Sequence, residues 1–186
     1  MRQTFTQVAT MFVLAAAALA GGGMAAFGQG SPALPPLQGS GLPVPRFVSL
    51  KSDKVHIRQG PGTDYKVLWV FQRAGLPVEV ISEFEGWRQV RDSEGTTGWV
   101  LQGLVSGRRT AVVLPWEVKS AEGKAVQVPL RSDDRDSAAA VAMAEAGVIA
   151  NVRSCDGRWC YVSIVDFKGY IEQKKLWGVY EGEVLK

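Results

Sequence analysis

The chain is short of the residues that most catalytic sites need: it has one histidine and two cysteines in 186 residues. A single imidazole, His56, cannot build a histidine-rich metal site, and neither zinc-ligand spacing nor a nucleophile elbow occurs around it. Charge of one sign is also scarce. The formal net charge is +3, with acids and bases interleaved along both halves of the chain, so no clustered basic face marks a nucleic-acid binder. Long apolar runs are missing too. The longest stretch, Val8 to Ala20, falls short of the roughly 20 residues that cross a bilayer, and nothing downstream exceeds it. These shortages argue against an enzyme, a metal or cofactor site, a nucleic-acid partner and a membrane span in the mature chain.

The start of the chain has a use of its own. Arg2 is its only charge, an apolar segment follows, and Ala18-Leu19-Ala20 and Ala26-Phe27-Gly28 offer small-residue cleavage sites. Residues 1–28 therefore read as a cleaved secretion signal, and the mature chain as periplasmic or secreted. Residues 29–46 read as a linker: Ser31 to Pro45 holds five of the nine prolines among glycine and serine, a composition that favours extended backbone.

What remains is a repeat. Val55-His56-Ile57-Arg58, Gly86-Trp87 and Gly98-Trp99-Val100 recur in order as Val128-Pro129-Leu130-Arg131, Gly157-Arg158-Trp159 and Gly169-Tyr170-Ile171, offset by 71 to 73 residues. A period of this size implies two small domains of one type, here 47–107 and 108–186. Each copy is read as short β-runs divided by turn residues. In the first these are Val55 to Arg58, Val67 to Phe71, Leu76 to Phe84, Trp87 to Arg91 and Thr97 to Leu101, with a fixed loop at Gln59 to Tyr65. Five short strands without a helical period predict a small bent barrel. Ala138 to Ala146 has helix propensity but occupies the register of Val67 to Phe71, so a strand is expected there. Thr110 to Lys119 reads as a further strand or a packed connector, with Trp116 covering a barrel end.

The cysteines flank Asp156-Gly157-Arg158-Trp159, taken as a four-residue hairpin loop that sets Cys155 opposite Cys160 on antiparallel strands. In an exported protein such a pair is expected to be oxidised. The rival, a redox or metal pair, is disfavoured because the spacing is C-x4-C. In the first copy the hairpin is read as one residue shorter, with Phe84 and Arg88 near the cysteine positions. The acidic run Asp133, Asp134 and Asp136 reads as a solvated turn.

The motif Val55-x-Ile57-Arg58-x-Gly60-Pro61-Gly62-Thr63-Asp64-Tyr65, followed by Gly86-Trp87 and Gly98-Trp99-Val100, resembles the bacterial SH3 domain (SH3b). The second copy resembles it more weakly and lacks the Gly-Pro-Gly loop. Overall the chain is similar to small exported SH3-like proteins of Gram-negative bacteria. The resemblance implies an all-β protein of two SH3-like β-barrels in tandem, used for binding peptidoglycan or cell-wall peptides. A periplasmic protein partner is the alternative.

The first copy carries Tyr65, Trp69, Trp87 and Trp99, more aromatics than so small an interior can enclose. Tyr65 and Trp87 are the expected groove, with Asp64, Arg58 and Arg88 as polar partners. Trp99 and Val100 are expected in the core, and His56, flanked by two apolar residues on a strand, is expected to face solvent. Arg58 has a second reading, as a brace beneath the Gly-Pro loop.

Overall fold

The computed structural model describes residues 39–117 and 125–186. The expected secretion signal and the first part of the expected linker lie outside the described residues. Among those described there is no α-helix; two antiparallel sheets hold nearly all of the regular structure.

The first sheet comprises β1 (Arg46–Leu50), β2 (Val55–Arg58), β3 (Val67–Phe71), β4 (Pro77–Phe84), β5 (Trp87–Arg91), β6 (Thr97–Leu101) and β7 (Val105–Ser106). The second contains β8 (Thr110–Val113), β9 (Gln127–Arg131), β10 (Ala140–Glu145), β11 (Ile149–Asp156), β12 (Trp159–Ile164), β13 (Phe167–Glu172) and β14 (Leu176–Trp177), and β15 (Val184–Leu185) is added beside β11. Their spatial orders, β3-β2-β6-β5-β4-β1-β7 and β10-β9-β13-β12-β11-β8-β14, match strand for strand. The repeat therefore extends further than its landmarks. Both copies gain a closing strand and the first an opening one that the reading left out, while Thr110–Val113, expected as a further strand or a connector, is a strand and the counterpart of β1.

Period-two alternation builds both cores. Val55 and Ile57 turn inward with Val48, Leu50, Val78, Val80, Val90 and Val100; Val128 and Leu130 do the same in the second barrel with Val152, Val162 and Ile171. Ala138 to Ala146 follows the repeat, not its propensity. Residues Ala140–Glu145 pair antiparallel with β9 and bury Ala144, and burial outweighs the few tenths of a kcal/mol per residue that favour helix. Alternation also corrects one expectation. Val100 is fully buried, so its neighbour Trp99 must face the other way, and it lies half-buried on the opposite side of the sheet. Trp116, expected over a barrel end, keeps about half its surface exposed.

At two matching glycines the strands approach too closely for a side chain. A Cβ on Gly98 would stand 2.3 Å from Ile57 Cγ2, and one on Gly169 would stand 2.4 Å from the Arg131 carbonyl oxygen. In each barrel this is where β6 or β13 crosses onto β2 or β9.

The first hairpin differs from the reading in length. The second hairpin encloses the expected four residues between its last register partners, Cys155 and Cys160, but the equivalent partners of the first, Glu83 and Arg88, enclose four as well. Neither hairpin is shorter. Glu85 (φ 47°) and Gly157 (φ 101°) take the left-handed backbone, and the glycine has merely changed position within the turn. Cys155 and Cys160 are register partners, 4.1 Å apart at Cα and joined by a disulfide. The matching partners in the first barrel are Glu83 and Arg88, not Phe84 and Arg88, and they form an ion pair at 2.9 Å.

The barrels are fastened to each other. Phe47 stacks edge-on to Trp177 (5.2 Å between ring centres) and against Tyr180 (4.7 Å). The buried Thr110 hydroxyl donates to the Gly75 carbonyl at 2.8 Å, and the Tyr180 hydroxyl donates to Glu79 at 2.9 Å. Burial, reinforced by that bond to Glu79, holds the Tyr180 hydroxyl protonated well above the usual phenol range. Arg109, held by a bidentate pair to Glu183 within the second barrel, lies over the Phe47 ring of the first, 6.0 Å from its centre.

Replacing Thr110 by valine keeps its shape and leaves a buried carbonyl without a donor. The variant should lose about 1–3 kcal/mol in urea unfolding, and an unchanged midpoint would refute the role given to this bond. Thiol labelling of denatured, unreduced protein should find no reactive cysteine, and Cys155→Ala/Cys160→Ala should lose roughly 2 kcal/mol, as expected for so short a covalent loop.

Candidate functional site

Sheet order places β2, β6 and β5 side by side. Because Val55 and Ile57 point into the core, alternation turns His56 outward, with Lys54 just ahead of the strand and Arg58 at its end. Trp87 opens β5 opposite Leu101, the last residue of β6, and Leu104 follows in the 3-10 turn Gln102–Leu104. Together with Thr63 from the loop after β2, these side chains line an open groove of about 160 Å³. Trp87 is half-buried and Leu101 is 44% exposed, so the apolar wall is available to a ligand.

The surface has larger hollows. One of about 490 Å³, lined by Asp53, Lys54, Val70 and Gln72, has no aromatic wall. Another of about 410 Å³ lies at the end of the linker, and its arginines, Arg46, Arg88 and Arg109, are already held by Glu83 and Glu183. Of the three, the small groove is the one that joins aromatic and aliphatic groups to basic side chains that no carboxylate holds.

The residues expected to form the site are thereby separated. Trp87 and Arg58 meet in the groove. Arg58 also braces the loop: its Nη1 donates to the carbonyls of Thr63 (2.7 Å) and Tyr65 (2.8 Å). Tyr65 is 49% exposed, but its ring lies over Gly60, where a Cβ would stand 2.5 Å from it, and it is not a wall of the groove. Asp64 is exposed on the same loop, likewise outside the groove walls. Arg88 is buried. Its guanidinium donates to the carbonyls of Glu85 and Trp87 and to Gln102, and pairs with Glu83, so it holds the hairpin instead of facing a ligand. Lys54, His56 and Leu101 were missed as site residues. The outward alternation of 54, 56 and 58 was the available clue; the pairing of Leu101 with Trp87 needed the register.

Glu83 anchors the surroundings of the site. It accepts from the Ser40 amide and hydroxyl and pairs with both Arg46 and Arg88, which fastens the end of the linker to the barrel. Burial alone would raise its pKa, but the hydrogen bonds from Arg46 and Ser40 prevail and lower it to about 2.

At the same place the second barrel is differently equipped. The strand equivalents of Lys54, His56 and Arg58 are Gln127, Pro129 and Arg131, and Arg131 retains the bracing role by donating to the Ala138 carbonyl at 2.7 Å. Trp159, at the position of Trp87, is only 4% exposed. Its register partner is Glu172 where the first barrel has Leu101, and Glu172 is held by Lys174 and Lys175. In the acidic loop Asp133 pairs with Arg135 and Asp136 with Arg158.

The two barrels share one strand order, and the first bears an open groove with an aromatic wall. The family model of the bacterial SH3 domain matches residues 51–107 and 124–178, more than half of the chain, which therefore belongs to the bacterial SH3 domain family in two copies. A comparison with curated proteins gives no match. Among solved structures the chain is similar to NlpC1 of Trichomonas vaginalis (13% identity, TM-score 0.32) and NlpC2 of the same organism (12%, 0.33). The alignments cover 75% of this chain and 48% and 49% of those chains, so it spans about half the length of these solved chains.

The depressed pKa of Glu83 carries a sign. Its contribution to stability is complete above the unfolded value of 4.5 and is lost as the pH falls through about 2. Acid titration of unfolding free energy should show this slope between those values. Glu83→Gln should flatten it, and an identical slope in the variant would remove Glu83 from the account.

Proposed function

We propose that the chain is an exported, non-catalytic binding protein that holds peptidoglycan or a wall-associated peptide in the groove of its first barrel. The observation that carries this reading is the contrast at one repeated position: Trp87 borders an open groove, while Trp159 is packed away. An aromatic face left accessible beside polar groups suits sugar and peptide contact. Export is supported by the leader-like residues 1–28 and agrees with a disulfide in the second barrel. Membership in the bacterial SH3 domain family supports a cell-wall-associated binding role.

A second reading, a periplasmic adaptor for an envelope protein, is favoured by one feature of the second barrel. Its outermost strand β10 exposes Val141 and Met143, and β13 exposes Phe167.

Co-sedimentation with purified sacculi separates the two. Wild type should pellet with sacculi, and Trp87→Ala should bind about tenfold more weakly or worse, the loss expected for a central aromatic anchor. If wild type stays in the supernatant while a protein partner is captured, the adaptor reading replaces the wall reading.

A further inference from the structure

We infer that the ligand of the first-barrel groove is a peptide carrying free carboxylates, which lie along the row Lys54, His56 and Arg58 while its apolar part rests on Trp87 and Leu101. The inference rests on the binding reading above and names its ligand class. Four observations carry it.

The three basic side chains fall at alternate positions on one face of a strand, about 6–7 Å apart at the backbone, a spacing that successive acidic groups of an extended peptide can follow. No aspartate or glutamate lines the groove. Among the described residues none of the three is in a salt bridge, whereas Arg46, Arg88 and Arg91 of the same barrel are each held by a carboxylate. Arg58 is fixed in place by neutral carbonyls, which orient its guanidinium without cancelling its charge.

The second barrel supplies the internal contrast. There the row becomes Gln127, Pro129 and Arg131, and a carboxylate, Glu172, stands where Leu101 closes the groove. Two of the three basic residues and the open apolar wall are missing together, and only Arg131, the brace, remains. The paired change is what a charge-selective groove predicts, since a barrel that recognised only sugar rings would have had no need of the basic row. A phosphate-rich polymer fits less well, because the groove puts two leucines and an indole beside the charges.

The test uses the full mature chain, sacculi before and after carbodiimide amidation of their carboxyl groups, and one acidic stem-type peptide with its amide. Wild type should bind the acidic peptide roughly tenfold more tightly than the amide at low salt, the size expected of two or three exposed charge pairs, and the difference should shrink at 0.5 M salt. Lys54→Gln/His56→Gln, at two exposed positions, should lose that discrimination, while Lys168→Gln in the second barrel keeps it. Binding of native and amidated sacculi alike, still dependent on Trp87, would overturn the carboxylate inference and leave the wall reading standing. Binding to neither sacculi nor peptide would overturn both. Retention only on a phosphate polymer would overturn the carboxylate assignment.

Discussion

Each barrel depends on one close approach: the strand that carries Gly98, or Gly169, must come near enough to its neighbour for the sheet to turn over its own core. Any side chain at that point would strike Ile57 in one copy, or the backbone of Arg131 in the other. With the approach made, inward residues of β2 meet those of β5 and β6, and the outward residues of the same strands are forced together on the other side. The groove is thus a by-product of closure. His56 and Arg58 reach Trp87 and Leu101 because Ile57 had to pass Gly98.

One position of the scaffold has been solved with two chemistries. Where β4 and β5 meet near their hairpin, an ion pair of Glu83 and Arg88 holds the first barrel; the second has a disulfide. The ion pair does more than clamp the strands, since Glu83 also gathers Ser40 and Arg46 and so fixes where the linker leaves the barrel. The disulfide makes no such outward connection, and the second barrel instead recruits β15 alongside Cys155. The same site therefore decides what is attached to each barrel, the preceding chain in one case and the following chain in the other.

The central strands, the existence of two barrels and the cysteine pairing were legible in the sequence, because alternation, turn residues and duplicated landmarks are local patterns. The opening strand of the first copy and the closing strands of both were not, and β1, buried along nearly its whole length, shows no alternation to read; β8 was legible only as a further strand or a packed connector. Hairpin length was misread because a glycine was followed instead of the register: Gly86 and Gly157 occupy different positions of equally long turns. The site was half legible. Trp87 and Arg58 stood out by type, but whether Arg88 faces a ligand or a buried glutamate is decided by Glu83 on the next strand, which no local pattern reveals. Tyr65 was misplaced for a similar reason, its ring being drawn onto the bare backbone of Gly60.

The joint between the barrels has a consequence for their independence. Phe47, Glu79 and Gly75 of the first barrel are met by Trp177, Tyr180 and Thr110 of the second, so residues from both ends of the later copy complete the surface of the earlier one. With those contacts in place, neither copy can be deleted or exchanged without exposing the other's flank. The second barrel, whose equivalent tryptophan is packed away, thus serves the first as a buttress.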